Sequence, residues 1–205
     1  MFAIESFIDE LAEIAGIDPV SYRLSLLSDA RARRVVETAA QISGWFEQGA
    51  RSEGRARGFG FARYKNIASF AAVVVEAEVD ETVRLKRVWC AADAGLVISP
   101  DDARNQIEGG IIQGASFVLR EQIRFQGGQV ASHTWEDYPI LRFSDIPEIA
   151  IELIDNPNEP TLGLGEASVG PTGAAIGNAV ARALGKRIRD LPLTRERIVA
   201  TLLAD

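Results

Sequence analysis

The chain has 205 residues, of which 47% are hydrophobic and 25% charged, the composition of a soluble globular fold. A chain of this length buries roughly 70% of its unfolded surface, in one domain or two closely joined subdomains. Its net charge of −7 excludes general nucleic-acid or anionic-membrane binding, both of which want a basic face. One cysteine (Cys90) and one histidine (His133) exclude an intrachain disulfide and a zinc or iron site held by those side chains alone. No apolar run is long enough for a membrane span, and the residues after Met1 read as an amphipathic helix rather than a secretory signal.

Ile4, Phe7, Ile8, Leu11 and Ile14 recur at helical spacing up to a stop at Gly16. Asp18-Pro19 reads as the N-cap and first turn of a short helix through Leu27. Asp29 caps a third helix, with Val35, Val36, Ala39 and Ile42 as its apolar stripe and Gly44 as its stop. Gly49 to Gly60 is rich in Arg, Gly and Glu and reads as an exposed connection, and the basic run from Arg51 to Lys65 as a solvated loop rather than a docking patch. Phe70 to Val79 is almost continuously apolar, as a strand covered on both faces would be. A turn at Asp80-Glu81 and a return strand from Val83 to Ala92 complete a hairpin. Ser99-Pro100 opens a helix whose positive end is complemented by Asp101 and Asp102. Gln126-Gly127-Gly128-Gln129 signals a second, tight hairpin. His133 falls in a surface stretch after it, and Trp135 to Arg142 reads as an ordered loop. Ile149 to Ile154 is an alternating strand, and a last helix runs from about Arg195 to Leu203.

Two stretches carry possible chemistry. In the helix after Pro100, Gln106, Gly110 and Gln113 share one face, and Gly109, Gly110 and Gly114 each cost about 1 kcal/mol relative to alanine. Either a ligand approaches that backbone or another helix packs tightly against it. The second stretch is Gly163-Leu-Gly-Glu166, which leads through Pro171 into a helix of small residues ending at Gly185. The lysine of a phosphate-binding loop is missing, and Ser168 stands where a dinucleotide fingerprint wants its third glycine. Glu166 is then either a solvated charge on a surface turn or a carboxylate presented by a backbone without bulk.

Gly-x-Gly-Glu166, the following Ala-Ile-Gly-Asn178-Ala, and Gly185-Lys-Arg-Ile-Arg-Asp-Leu-Pro-Leu-Thr194 resemble the C-terminal end of molybdenum hydroxylase large subunits. That is the xanthine dehydrogenase family, in the branch of isoquinoline 1-oxidoreductase and related aldehyde dehydrogenases. Arg104 to Gly114, Asp137 to Arg142, Phe2 to Leu11 and the linker-like Asp18 to Leu24 are similar to the same family, so the likeness covers nearly the whole chain. The resemblance implies an α+β fold with a mixed sheet and packed helices: a helical segment over 1–48, then the second half of a molybdopterin-binding domain over 49–205. It implies a molybdopterin-type molybdenum cofactor and hydroxylation of an N-heterocycle or oxidation of an aldehyde. Glu166 would be the general base, Gln106 and Gln113 would contact the cofactor, and Gly163 and Gly165 would leave room for it. Implied partners are the N-terminal half of the large subunit, to which nothing here corresponds, an iron–sulfur subunit and a small-molecule substrate. Without that half the isolated chain is expected to be inactive and to retain little molybdenum. The alternative reading is a noncatalytic cofactor-binding-fold or assembly domain, forming homo-oligomers through surfaces the missing half would cover.

Overall fold

A computed structural model describes residues 1–47, 51–52, 54–80 and 82–204. Three helices open the chain: α1 (Phe2–Ala15), α2 (Pro19–Leu26) and α3 (Ala30–Ile42). Their ends follow local chemistry. Gly16 takes the left-handed conformation (φ 65°) that closes α1. The Asp18 carboxylate accepts from the N–H groups of Val20 and Ser21 at 2.9 and 3.0 Å, and the Asp29 carboxylate does the same for Arg31 and Ala32 at 2.8 and 3.1 Å.

The strands follow: β1 (Arg51–Ser52), β2 (Arg55–Arg63), β3 (Phe70–Val79) and β4 (Val83–Asp93). After them come α4 (Pro100–Leu119), the small hairpin β5 (Phe125–Gln126) and β6 (Gln129–Val130), β7 (Glu148–Ile154), α5 (Val169–Leu184) and α6 (Arg195–Leu203). The main sheet has the order β1-β2-β3-β4-β7, antiparallel except for the parallel β4–β7 pair. A mainly antiparallel sheet with helices packed against it makes the fold α+β.

Side chains alternate across β3. Ala71, Val73, Val75 and Ala77 enter one core with α4 and α5, while Phe70, Ala72 and Val74 enter a second core with α2 and α3. Both faces of the strand are covered, which is why its sequence is continuously apolar.

The segment read as an exposed connection departs from expectation. Gly49 and Glu53 lie outside the described residues, as does Glu81 of the Asp80-Glu81 turn, but from Arg55 onward the chain is strand β2, largely buried. The basic run is therefore not a solvated loop. Arg57 is only 6% exposed: it donates to Glu76 at 3.1 Å and to the Ser43 carbonyl at 2.9 Å, and stacks on Trp89. The glycines there serve packing rather than turning. A Cβ on Gly58 would lie 2.1 Å from the Ala175 carbonyl oxygen, and one on Gly60 2.3 Å from that of Pro171. Helix α5 thus rests backbone to backbone on β2.

Beyond its short pairing with β1, β2 is an edge strand whose polar groups need partners. Side chains supply them. Arg182 donates to the Arg57 carbonyl at 2.6 Å, Asn178 to the Phe59 carbonyl at 2.8 Å, and the Phe61 N–H donates to Glu5 at 2.9 Å. Helix α1 accordingly turns an acidic face inward. Glu5 and Asp9 are 3% and 4% exposed and meet Arg23, while Arg182 and Arg187 also reach Asp9. Its apolar residues Ile4, Phe7 and Ile14 are 60%, 57% and 82% exposed.

The glycine contacts give opposite expectations at two positions. Gly58→Ala must displace α5 and should lower the thermal midpoint, with overpacking costing about 1–3 kcal/mol. Gly109→Ala adds a Cβ that meets nothing within 4 Å and should raise the midpoint by the helix propensity gained, about 1 kcal/mol. Thermal unfolding of the two variants checks both signs.

Candidate active site

The glycine turn before α5 lies between two elements. On one side is α4. The Ser168 hydroxyl, fully buried at the start of α5, donates to the Ile107 carbonyl at 2.8 Å. A Cβ on Gly110 would meet Ser168 Oγ at 2.3 Å, and one on Gly114 the Val169 carbonyl oxygen at 2.6 Å. Two of the three α4 glycines therefore serve close helix packing, whereas Gly109 faces open space. The other side is the β2–β3 turn, where the Ser69 hydroxyl donates to the Gly163 carbonyl at 2.8 Å and the Tyr64 hydroxyl to the Glu166 carboxylate.

These contacts place the expected residues close together. Glu166 is exposed and lines a cleft of about 490 Å³ with Gln113, Tyr64, Lys65, Phe117 and Met1. Gln106 sits over the turn: a Cβ on Gly165 would come within 3.2 Å of its Oε1. Gly163 has nothing within 4 Å of where its Cβ would be, so the backbone before Glu166 is open. The Thr172 hydroxyl, fully buried in the first turn of α5, has no hydrogen-bond partner. Gly110 is buried although it shares a helical face with the two exposed amides, so that face divides between packing and opening.

Tyr64, Lys65 and Phe117 do not stand out in the sequence. Tyr64-Lys65-Asn66 is a short polar break between apolar runs, which marks a turn but not where it points. Lys65 and Asn66 take left-handed backbone (φ 51° and 63°), which asparagine favours but lysine does not announce.

No group of three or more His, Cys, Asp and Glu among the described residues is placed to hold a metal ion. His133 is exposed. Cys90 lies in the core between β4 and α4, and burial pushes its thiol up from 9.0 to about 12.

The sequence profile of the molybdopterin cofactor-binding domain matches residues 3–147. The chain belongs to this family. It is 42% identical to a nicotinate dehydrogenase component of Pseudomonas putida, over 98% of this chain and 18% of that one. It is 37% identical to the beta chain of isoquinoline 1-oxidoreductase of Brevundimonas diminuta, over 94% of this chain and 25% of the relative. Quinoline 2-oxidoreductase from Pseudomonas putida 86 superposes with a TM-score of 0.60 at 29% identity, covering 66% of this chain and 18% of the other. The chain thus spans about a quarter or less of the length of these relatives.

The arrangement suits the family's cofactor. Two exposed amides offer donors and acceptors to a pterin edge, and Gly163 and Gly165 add no side chain to the turn beside Gln106. Cys90 takes no part, and its chemistry is predictable. Because its folded value is raised, it stabilises the fold below the unfolded thiol range, and that contribution falls away as pH rises from about 9 toward 12. At pH 8 the native chain should resist alkylation by iodoacetamide and react only on unfolding; mass spectrometry showing rapid native labelling would contradict the burial.

Proposed function

We propose that this chain is the C-terminal portion of a molybdopterin-dependent oxidoreductase that hydroxylates an N-heterocycle or oxidises an aldehyde, with Glu166 as its general base. The supporting observation is the placement of one carboxylate, on a glycine turn, at a cleft shared with Gln113 and beside Gln106. When bound, the molybdenum cofactor supplies two-electron oxidation of the substrate carbon. Residues of this chain would supply positioning and proton transfer. Gln106 and Gln113 hold polar edges of the cofactor, and Gly163 and Gly165 leave the approach free of side chains. Glu166 accepts the proton released at the reacting centre, through a carboxylate oxygen facing the cleft.

The substrate preference takes its support from the relatives, two of which are named for nicotinate and isoquinoline, both nitrogen heteroaromatics. Apolar Phe117, Met1, Val169 and Pro171 give the cleft a wall suited to a flat ring. In the complete enzyme, Glu166→Gln should keep molybdenum content unchanged and lower turnover about 10²–10⁴-fold. Turnover near the parent rate would remove Glu166 from the role. The isolated chain should retain little molybdenum, and metal analysis at one atom per chain would oppose the need for further domains.

The partner proposed for this chain is the remainder of a large subunit, from which an iron–sulfur subunit would carry electrons away. The outward face of α1 supports the first: Ile4, Phe7 and Ile14 form an apolar stripe left exposed among the described residues, on a chain much shorter than its relatives. Burying such residues is worth about 1.5–3 kcal/mol each. The same stripe would serve an assembly domain pairing with its own copy. A Phe7→Asp substitution separates the cases. It should leave the melting temperature of the isolated chain unchanged and lower, by several degrees, that of the complete subunit. Equal melting of parent and variant in the complete subunit would show the stripe uncovered, and a chain that is dimeric until Phe7 is replaced would favour self-assembly.

A further inference from the structure

Glu166 stands on a turn outside regular structure, and its flanking residue Gly165 adds no side chain to brace it. Its orientation must come from elsewhere. Among the described residues, the contact to its carboxylate is the Tyr64 hydroxyl, a residue to which neither the family resemblance nor the cleft chemistry above gives a role. We propose that Tyr64 is a positioning residue for Glu166. Its phenol O–H donates to the carboxylate and holds it toward the cleft and the amides of α4.

The surrounding backbone supports that task. Tyr64 opens the β2–β3 turn, where its N–H donates to the Ser69 carbonyl at 2.8 Å and its carbonyl accepts from the Ala68 N–H at 2.9 Å. Between these bonds Lys65 and Asn66 both adopt left-handed backbone; asparagine tolerates it, but for Lys65 it costs about 1–3 kcal/mol and is kept only where the surroundings enforce it. The Lys65 ammonium lies 5.3 Å from the centre of the Tyr64 ring, a cation–π contact on the same side chain. Ser69, fully buried at the far end of the turn, is bonded to the Gly163 carbonyl. The turn therefore grips the glycine loop at both of its ends, at Gly163 through Ser69 and at Glu166 through Tyr64. A phenol suits this role because its ring has few rotamers and its hydroxyl donates one proton close to the ring plane. Water could satisfy the carboxylate without fixing it.

This inference rests on the reading of Glu166 as proton acceptor, and two measurements keep the two apart. In the complete enzyme Tyr64→Phe keeps the ring and removes the hydroxyl. It should lower kcat about tenfold, as expected for losing a hydrogen bond to a charged group, with KM within about twofold and molybdenum content unchanged. In the present chain, carbon-13 labelling at tyrosine Cζ gives a resonance assigned to Tyr64 by its loss in Tyr64→Phe. Glu166→Leu should move that resonance while Tyr22 and Tyr138 stay in place. A kcat for Tyr64→Phe within twofold of the parent, or a Tyr64 resonance indifferent to Glu166→Leu, would overturn the proposal. A resonance that moves while Glu166→Gln keeps full turnover would overturn the catalytic reading of Glu166 and with it this role for Tyr64, leaving only the contact.

Discussion

The structure depends on how closely one helix is allowed to approach its neighbours. Helix α5 lies against β2 at Gly58 and Gly60 and against α4 at Gly110 and Gly114, and a single methyl group at any of these four points would strike a backbone or side-chain atom. Such contacts leave little freedom for sliding, because protein interiors are packed as densely as organic crystals. The turn bearing Glu166 is the segment that leads into this helix, so its position is inherited from the contact. The small residues of α5 are needed for the same reason. Bulk at Ala175 or Ala179 would push the helix off the strand and carry the turn with it.

Electrostatics complete what packing begins. The edge of β2 cannot continue the sheet under α5, and its unpaired groups are taken by Glu5, Asn178 and Arg182. Those side chains must be buried to reach it, and burying Glu5 and Asp9 requires arginines around them. Arg23, Arg182 and Arg187 come from α2, from α5 and from just beyond it, so the charge cluster ties the first helices to the last part of the chain. The outward apolar stripe of α1 follows from the same arrangement. Once the acidic face is claimed by the strand edge, the apolar face is left for another surface.

Much of this was legible in the residues. Helix caps at Asp18 and Asp29, the doubly covered strand at Phe70 to Val79 and the stop at Gly185 each depend on local chemistry, which the sequence displays directly. Strand β2 was not. Its arginines and glycines carry the signature of a loop, yet the arginines are paired and stacked and the glycines admit a helix, both effects of partners distant in sequence. The same limit applies to α1, where periodicity revealed an amphipathic helix but not which face would turn inward. At the site, the glycine-flanked carboxylate and the two amides stand out by residue type. Tyr64 does not, because a single tyrosine in a polar turn carries no pattern until the turn is folded onto Gly163 and Glu166.

The proposed function turns on one hollow, lined by Glu166 on its turn and by Gln113 of α4, with Gln106 beside that turn. A crystal structure of the complete enzyme with its cofactor bound tests this most directly. Cofactor density should lie between Glu166 and α4, with Gln106 and Gln113 in hydrogen-bonding contact with it. Cofactor bound away from that hollow, with Glu166 facing solvent or buried protein, would contradict it.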